Sequence, residues 1–161
     1  MAHFITQTEA DYFFQLEKIP ESNEPLSFPV SGIKIVIPFT SLDKREMFLF
    51  DIHRSSIKLT KATYQNRARK TFIIRRLDLD GPPHQNPETE NVPLPFLEPY
   101  NGKDIECPHL HIYVEGFSSR WAVPANLFMD INGNDIYDSL IDFFVYCSVK
   151  KIPLIEKGLL I

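Results

Sequence analysis

Hydrophobic and polar residues alternate at the two-residue period of a β-strand along much of this chain. Four segments rich in β-branched and aromatic residues fall in the first half, at residues 32–39, 47–53, 57–63 and 71–78. Residues 109–115 alternate most regularly, and residues 120–124 follow them across a short turn as the second strand of a hairpin. We therefore predict a single antiparallel sheet of about five to six strands.

Apolar residues recur at helical spacing near the two ends of the chain. The first helical pattern covers residues 8–18, and the hydroxyl of Thr8 is a candidate N-terminal cap. The second covers residues 135–150, with Asn134 or Asp135 as its cap. Because the strands are grouped between two helices instead of alternating with them, the order predicts an α+β fold. The N-terminal and C-terminal helices are expected to pack on one face of the sheet.

The segment at residues 81–106 differs from its surroundings because it holds six of the thirteen prolines. Proline removes a backbone donor and fixes φ, so the segment is predicted to be a Pro-rich connector without regular structure. A connector of this length in a compact domain is usually functional or disordered. Nothing in the pattern divides the 161 residues into two units, and we expect a single domain.

The composition of the chain indicates in which cellular compartment the protein is expected. The chain has 43% hydrophobic and 24% charged residues, as ordinary soluble proteins do. No apolar stretch approaches the roughly 18 residues of a membrane span, and residues 1–7 lack the features of a secretory signal. We therefore expect a cytoplasmic protein with no membrane partner, in which Cys107 and Cys147 stay reduced.

The formal net charge of −4 conceals an uneven distribution of charge. No acidic residue lies between positions 52 and 76, and that segment holds eight of the 17 basic residues. Cations there alternate with hydroxyl and amide groups, which predicts contact with RNA phosphates, and a tyrosine is available to stack on an unpaired base. The predicted nucleic-acid-binding residues are Arg54, Lys58, Lys61, Tyr64, Arg67, Arg69 and Lys70. The competing interpretation is a solvated sheet face paired with acids from elsewhere.

His109 and His111 are the strongest candidates for chemistry. Side chains two residues apart in a strand share a face, so these imidazoles and the Tyr113 phenol are expected to project side by side at intervals of about 6.6 Å. Imidazole exchanges protons near neutral pH, and such a pair can supply the general base and general acid of metal-independent RNA cleavage. Arg75, Arg76 or Arg120 could stabilise the phosphorane charge, with Arg76 preferred, and Tyr113 and His84 are expected to orient the reacting groups.

Two other interpretations of the histidine pair stay open. A polar strand face can simply be solvated, with no catalytic role. His-x-His is also a ligand spacing used by zinc, and Cys107 has the same strand parity, but further ligands would have to come from His84, Glu115 or another part of the chain. We therefore predict neither a metal nor a cofactor.

Three segments together resemble an uncharacterised family of small bacterial proteins. They are RLDLDGPPHQNP at 76–87, PHLHIYVEGF at 108–117 and WAVP at 121–124. This resemblance implies no activity. The Pro-His-x-His strand is also similar to one in small toxin-like proteins of bacterial defence and toxin–antitoxin loci, and that similarity favours a ribonuclease.

Two functions are consistent with these features. The first is a nucleic-acid-acting protein, in its specific form a metal-independent ribonuclease of toxin type, whose partners would be RNA and an antitoxin. The second is a non-catalytic phage or mobile-element inhibitor that binds a host nuclease or its nucleic acid. Exposed edge strands would allow a homodimer in either case.

Overall fold

The computed structural model describes residues 3–158 and residue 160. Its elements in chain order are α1 (Gln7–Gln15), β1 (Lys18–Pro20), β2 (Leu26–Ser27), β3 (Lys34–Ser41), β4 (Met47–Arg54), β5 (Ala62–Ala68), β6 (Phe72–Asp78), β7 (His84–Gln85), a 3-10 helix (Pro95–Tyr100), β8 (Asp104–Ile105), β9 (His109–Val114), β10 (Ser118–Pro124), a second 3-10 helix (Ala125–Leu127), α2 (Ile136–Tyr146) and β11 (Ile155–Glu156). Seven strands form one antiparallel sheet in the order β1-β3-β4-β5-β6-β9-β10. Two small sheets pair β2 with β11 and β7 with β8.

The predicted α+β class with one main antiparallel sheet is confirmed, and the sheet has more strands than predicted. The short strand β1 extends it at one edge, where Lys18 pairs with Ser41 of β3. The strand predicted at residues 57–63 is wrong. The Ser55 hydroxyl accepts hydrogen bonds from the backbone N–H groups of Ile57 and Lys58, which makes a turn there, and β5 begins only at Ala62.

Helix α1 is shorter than predicted and has a different cap. The Thr6 side chain accepts a hydrogen bond from the backbone N–H of Glu9, and the Glu9 carboxylate accepts one from the backbone N–H of Thr6. This reciprocal pair is a capping box that starts the helix two residues before the predicted cap, Thr8. On the buried side of α1, Phe13 packs edge-on against Phe48 of the sheet, with ring centroids 6.1 Å apart.

Helix α2 begins after Asp135, one of the two predicted caps, whose carboxylate accepts a hydrogen bond from the backbone N–H of Asp138. Its apolar side covers the middle of the main sheet. Phe143 and Phe144 are fully buried there, and both rings contact Phe50 of β4. The face of the sheet that meets α2 carries the core, and we call it the inner face.

The opposite, outer face of the sheet is polar. Side chains of cross-strand partners point to the same side, so the register defines two rows of residues on this face. One row runs Val36, Asp51, Gln65, Arg76, His111 and Ala122, and the other runs Lys34, His53, Thr63, Asp78, His109 and Pro124. The predicted alternation of β9 is thus observed, with Leu110 and Ile112 on the inner face.

The Pro-rich connector packs over the β9–β10 end of the outer face. It contains β7, β8 and the first 3-10 helix, so it is more regular than its prolines predict. The Asn86 side-chain amide joins it to the edge strand, accepting a hydrogen bond from the backbone N–H of Ala122 and donating to its carbonyl, both at 2.8 Å. A further hydrogen bond from Asn86 to the Tyr100 carbonyl closes the connector on itself.

Two further expectations concern membrane spans and thiols. Among the described residues, no helix combines the length and the apolar character that a membrane crossing needs. Cys107 and Cys147 carry free thiols, as expected from the sequence. Burial raises the pKa of the Cys147 thiol to about 12, so this side chain behaves as a small core residue.

Candidate functional site

The candidate site lies where β6 and β9 pair on the outer face. In the register Asp78 is opposite His109, and Arg76 is opposite His111. The Nε2 atoms of His109 and His111 lie 3.1 and 3.2 Å from the same Asp78 oxygen, Oδ2. The two imidazole centroids are 5.1 Å apart. We call Asp78, His109 and His111 the imidazole cluster, because three groups that bind protons or cations meet at one point.

The second nitrogen of each imidazole faces a backbone carbonyl. His109 Nδ1 is 3.0 Å from the Ile105 oxygen, and His111 Nδ1 is 2.8 Å from the Ser119 oxygen. A carbonyl oxygen only accepts hydrogen bonds, so each Nδ1 carries a proton and donates it. In its neutral form each ring therefore presents an unprotonated Nε2 to Asp78.

The other oxygen of Asp78 is held by two donors. The Thr63 hydroxyl donates to Oδ1 at 2.7 Å, and Arg76 Nε donates to it at 3.1 Å. Burial by itself would raise the pKa of this carboxyl, but hydrogen bonds from the imidazoles when these carry a proton on Nε2, together with the Arg76 charge and the Thr63 hydroxyl, hold it well below its usual range. Asp78 is therefore an anion whose Oδ1 is fixed and whose Oδ2 is aimed at the imidazoles.

A cavity of about 400 Å³ opens above the imidazole cluster. The cluster forms its floor, and the connector forms one wall. Three cationic side chains, Lys61, Arg76 and Arg120, also line it. His109 and His111 are only 3% and 6% exposed, so they are reached through this cavity instead of standing out from the sheet.

A third imidazole, that of His84, comes from the connector. Its ring centroid is 4.5 Å from that of His111, and its Nε2 donates to the Arg120 carbonyl at 2.8 Å. Burial lowers the pKa of His84, since the charged ring is poorly solvated there. Cys107 lies 3.5 Å from His109 Nδ1, and burial raises the pKa of its thiol, which argues against a role as a nucleophile.

A second buried carboxylate, Asp51, lies on the same face two strands away. Arg67 donates to it from Nε at 2.6 Å and from Nη2 at 2.8 Å, and the Gln65 amide donates at 2.9 Å. Lys34 Nζ is 3.3 Å from the same carboxylate. We call Asp51, Gln65, Arg67 and Lys34 the guanidinium cluster. It borders a smaller cavity of about 200 Å³, which shares two lining residues with the larger one.

The structure brings together four of the five residues predicted from the sequence as catalytic. They are His84, His109, His111 and Arg76. Tyr113 is the exception, because its hydroxyl accepts a hydrogen bond from the Ile5 backbone N–H at 3.0 Å and donates to the Ile5 carbonyl at 3.1 Å. The Tyr113 ring is 1% exposed, so it anchors the N-terminal segment and does not orient the imidazoles.

Two of the predicted nucleic-acid-binding residues lie on the inner face of the sheet. Tyr64 is completely buried, and its hydroxyl donates a hydrogen bond to the Ile136 carbonyl of α2. Arg54 is 1% exposed, and its Nη1 donates to the Pro29 carbonyl at 3.3 Å. The predicted stacking of Tyr64 on a base and the predicted phosphate contact of Arg54 are therefore wrong.

The other predicted binding residues are divided between the two ends of β5. Lys58 and Lys61 precede this strand, while Arg69 and Lys70 follow it, so roughly 20 Å of extended chain separates them. Three form ion pairs: Lys58 with Asp80 at 3.6 Å, Arg67 with Asp51 at 2.6 Å and Arg69 with Glu46 at 3.0 Å. The predicted binding residues therefore do not form one basic surface, and of this set Lys61 lines the larger cavity.

Asp78 and Thr63 are site residues that the sequence patterns do not single out. The available signal for Asp78 is its two-residue spacing from Arg76 in β6, which puts both side chains on one face. The pairing of β6 with β9 is not visible in the sequence, because the whole connector lies between these strands.

A model for a family of unknown function, DUF6978, matches residues 5–149. The chain belongs to this family. Membership agrees with the resemblance to an uncharacterised family and carries no activity with it. The matched region contains the imidazole cluster, the guanidinium cluster and the connector. No curated protein and no solved structure matches the chain.

Proposed function

We propose that this protein acts on nucleic acid, binding the phosphate backbone of a single strand at the larger cavity. The observation that carries the proposal is that Lys61, Arg76 and Arg120 line one cavity, in a protein whose net charge is −4. Neither Lys61 nor Arg120 has an ion pair with a described residue closer than 4.0 Å. Arg76 uses Nε for Asp78, and its side chain is 40% exposed.

The size of the cavity favours a single strand over a duplex. A volume of about 400 Å³ is in the usual range for small ligands, and one nucleotide can enter such a space only when it is unpaired. Cationic side chains at the wall are suited to phosphate oxygens, and the His84 ring offers a flat surface to a base. Among nucleic acids, RNA is the ligand that the sequence features favour.

Binding is better supported than metal-independent cleavage. A general base needs a ring nitrogen that reaches the substrate hydroxyl. All four ring nitrogens of His109 and His111 already contact Asp78 or a backbone carbonyl. The acid–base assignment would therefore require both rings to leave these partners, and it stays a prediction.

The test is the affinity for a fluorescein-labelled single-stranded RNA, measured by anisotropy over a range of salt concentrations in EDTA. The double variant Lys61→Ala with Arg120→Ala should bind on the order of tenfold more weakly. Its log–log salt slope should be smaller by about 1.4, since each phosphate contact to a single strand contributes about 0.7. Gel analysis of the same samples detects cleavage products.

The matched control is Lys44→Asn with Arg45→Ala, which removes two exposed cations from the β3–β4 turn at the far end of the strands. This variant should keep the wild-type affinity. Equal weakening by both double variants would show unspecific attraction and contradict the proposal. If the wild-type protein binds no RNA at low salt, the alternative of a non-catalytic inhibitor with a protein partner takes its place.

A further inference from the structure

We propose that Asp78, His109 and His111 bind one divalent transition-metal ion, through Asp78 Oδ2 and the two Nε2 atoms. This inference goes beyond nucleic-acid binding and does not depend on it. It begins with the hydrogen bonds from each Nδ1 to a carbonyl, because these assign the proton of the neutral ring to Nδ1. Both Nε2 atoms then carry lone pairs, and so does Asp78 Oδ2.

Three acceptor atoms that face one another are unfavourable without a cation between them. Asp78 Oδ2 is 3.1 Å from one Nε2 and 3.2 Å from the other, and one ligand atom from each of the three residues lies within 4.8 Å of the others. Adjacent ligands of a tetrahedral zinc ion, each about 2.0–2.1 Å from the metal, are roughly 3.3 Å apart. The two distances from Asp78 Oδ2 to the imidazoles are therefore close to the spacing of ligands around one ion.

The surroundings of the three ligands are also those of a metal site. Metal-binding histidines usually donate their other ring N–H to a carbonyl or carboxylate, as His109 and His111 do here. Metal-binding carboxylates are usually hydrogen-bonded through the free oxygen, and Asp78 Oδ1 accepts from Thr63 and Arg76. These donors fix Oδ2 as the single coordinating oxygen.

The ligand set indicates which ions the site prefers. Two imidazoles and one carboxylate suit zinc or ferrous iron, whereas magnesium and calcium prefer oxygen ligands. The cluster lines the cavity of about 400 Å³, so an ion there keeps coordination positions for water or a ligand. His84 and Cys107 do not supply ligand atoms to the group of three within 4.8 Å.

Calorimetric titration of the full-length protein with Zn²⁺, after EDTA treatment and buffer exchange, tests the proposal. The wild type should bind one ion per chain, and Mg²⁺ at the same concentration should give no heat of binding. His109→Gln and His111→Gln should each weaken Zn²⁺ binding on the order of 100-fold or more, because each removes a ligand. Asp78→Asn should weaken it at least tenfold.

Asp78→Asn is the decisive variant because it should fold. The new amide can keep its oxygen toward Thr63 and Arg76 while its NH₂ group donates to both Nε2 atoms. Thermal melting with and without Zn²⁺ should show a metal-dependent rise in Tm for the wild type and a clearly smaller rise for this variant at the same Zn²⁺ concentration. His53→Gln, which changes an exposed histidine of the same outer row, and Cys107→Ser are the matched controls and should keep wild-type Zn²⁺ affinity.

Two results would overturn the proposal. One is a wild-type protein that takes up no Zn²⁺, or whose uptake is unchanged in Asp78→Asn. The other comes from ¹⁵N NMR of the imidazoles in the metal-free protein at neutral pH. Protons on both nitrogens of both rings would show two imidazolium ions around Asp78, and the cluster would then be a proton-stabilised ion group with no place for a metal.

Discussion

Asp51 and Asp78 are buried carboxylates on the same face of the same sheet, yet their neighbours differ in kind. Asp51 is surrounded by groups that are always donors: the Arg67 guanidinium, the Gln65 amide and the Lys34 ammonium. Asp78 Oδ2 is surrounded by two imidazoles, which donate only when protonated there. The guanidinium cluster is therefore complete as it stands, whereas the imidazole cluster needs a proton or a metal.

This difference in hydrogen-bonding partners separates a structural ion pair from a candidate functional site more clearly than burial does. Both carboxylates have lowered pKa values, and both border a cavity. The criterion of a perturbed pKa in a cleft would identify both carboxylates as candidate site residues. The chemical character of the partners distinguishes them, and it also predicts that the same substitution, Asp to Asn, destabilises the protein more at Asp51 than at Asp78.

The largest effect is expected from Asp51→Asn. The new amide NH₂ group would face the Arg67 guanidinium, and a cation that is 21% exposed would lose its counter-ion. We expect the free energy of unfolding in urea to fall by about 2–3 kcal/mol. Glu17→Ala, which breaks a surface ion pair with Lys150, is the control and should change stability by less than about 0.5 kcal/mol. An equal loss in both variants would refute the structural role of Asp51.

A smaller effect concerns the pH dependence of stability. Burial by itself would raise the pKa of Asp51, but hydrogen bonds from Arg67 and Gln65 outweigh it and lower the pKa below the ordinary 3.8. The unfolded chain then takes up a proton at higher pH than the folded protein does, so the stabilisation is complete above the ordinary pKa and is lost as pH falls through the folded value.

The wild-type unfolding free energy should therefore decrease below about pH 4 more steeply than that of Asp51→Asn. Urea unfolding across this range, at constant ionic strength, measures both slopes. Parallel curves for the two proteins would mean that Asp51 has the same proton affinity in the folded and unfolded chain.

The smallest effect is expected from Asp78→Asn in the metal-free protein. Its amide can donate to both Nε2 atoms where the carboxylate cannot, so the unfolding free energy in EDTA should change by less than about 1 kcal/mol. A loss comparable to that of Asp51→Asn would mean that the imidazoles are protonated. Both carboxylates would then be held by donors, and the two clusters would differ only in the strength of that donation.

The sequence predicted those parts of the site that depend on neighbouring residues. Alternation along residues 109–115 correctly assigned His109 and His111 to one face, because strand periodicity is a local property. The cap of α2 at Asp135 is local for the same reason. His84 and Arg76 also lie beside the histidines. Their chemistry alone predicts a role for them in the site, because their positions depend on contacts made at long range.

The errors arose where several local patterns compete. Residues 57–63 alternate about as well as residues 62–68, but the Ser55 hydroxyl holds residues 57 and 58 in a turn, and the strand that pairs with β4 and β6 begins at Ala62. The strand that forms directs Tyr64 toward α2, so a predicted surface ring became part of the core. The sequence does not reveal Asp78 as the partner of both imidazoles, because the whole connector lies between Asp78 and the histidines.

The hydrogen bonds between Asn86 and Ala122 have a consequence for how these molecules meet one another. β10 is the last strand of the sheet, and its outward peptide groups would otherwise be a template on which another chain can add a strand. Asn86 occupies the Ala122 N–H and carbonyl with its own amide. His84 lies two residues before Asn86, so the same short segment that completes the wall of the cavity also covers the peptide group of Ala122 on this edge, where another strand could otherwise pair.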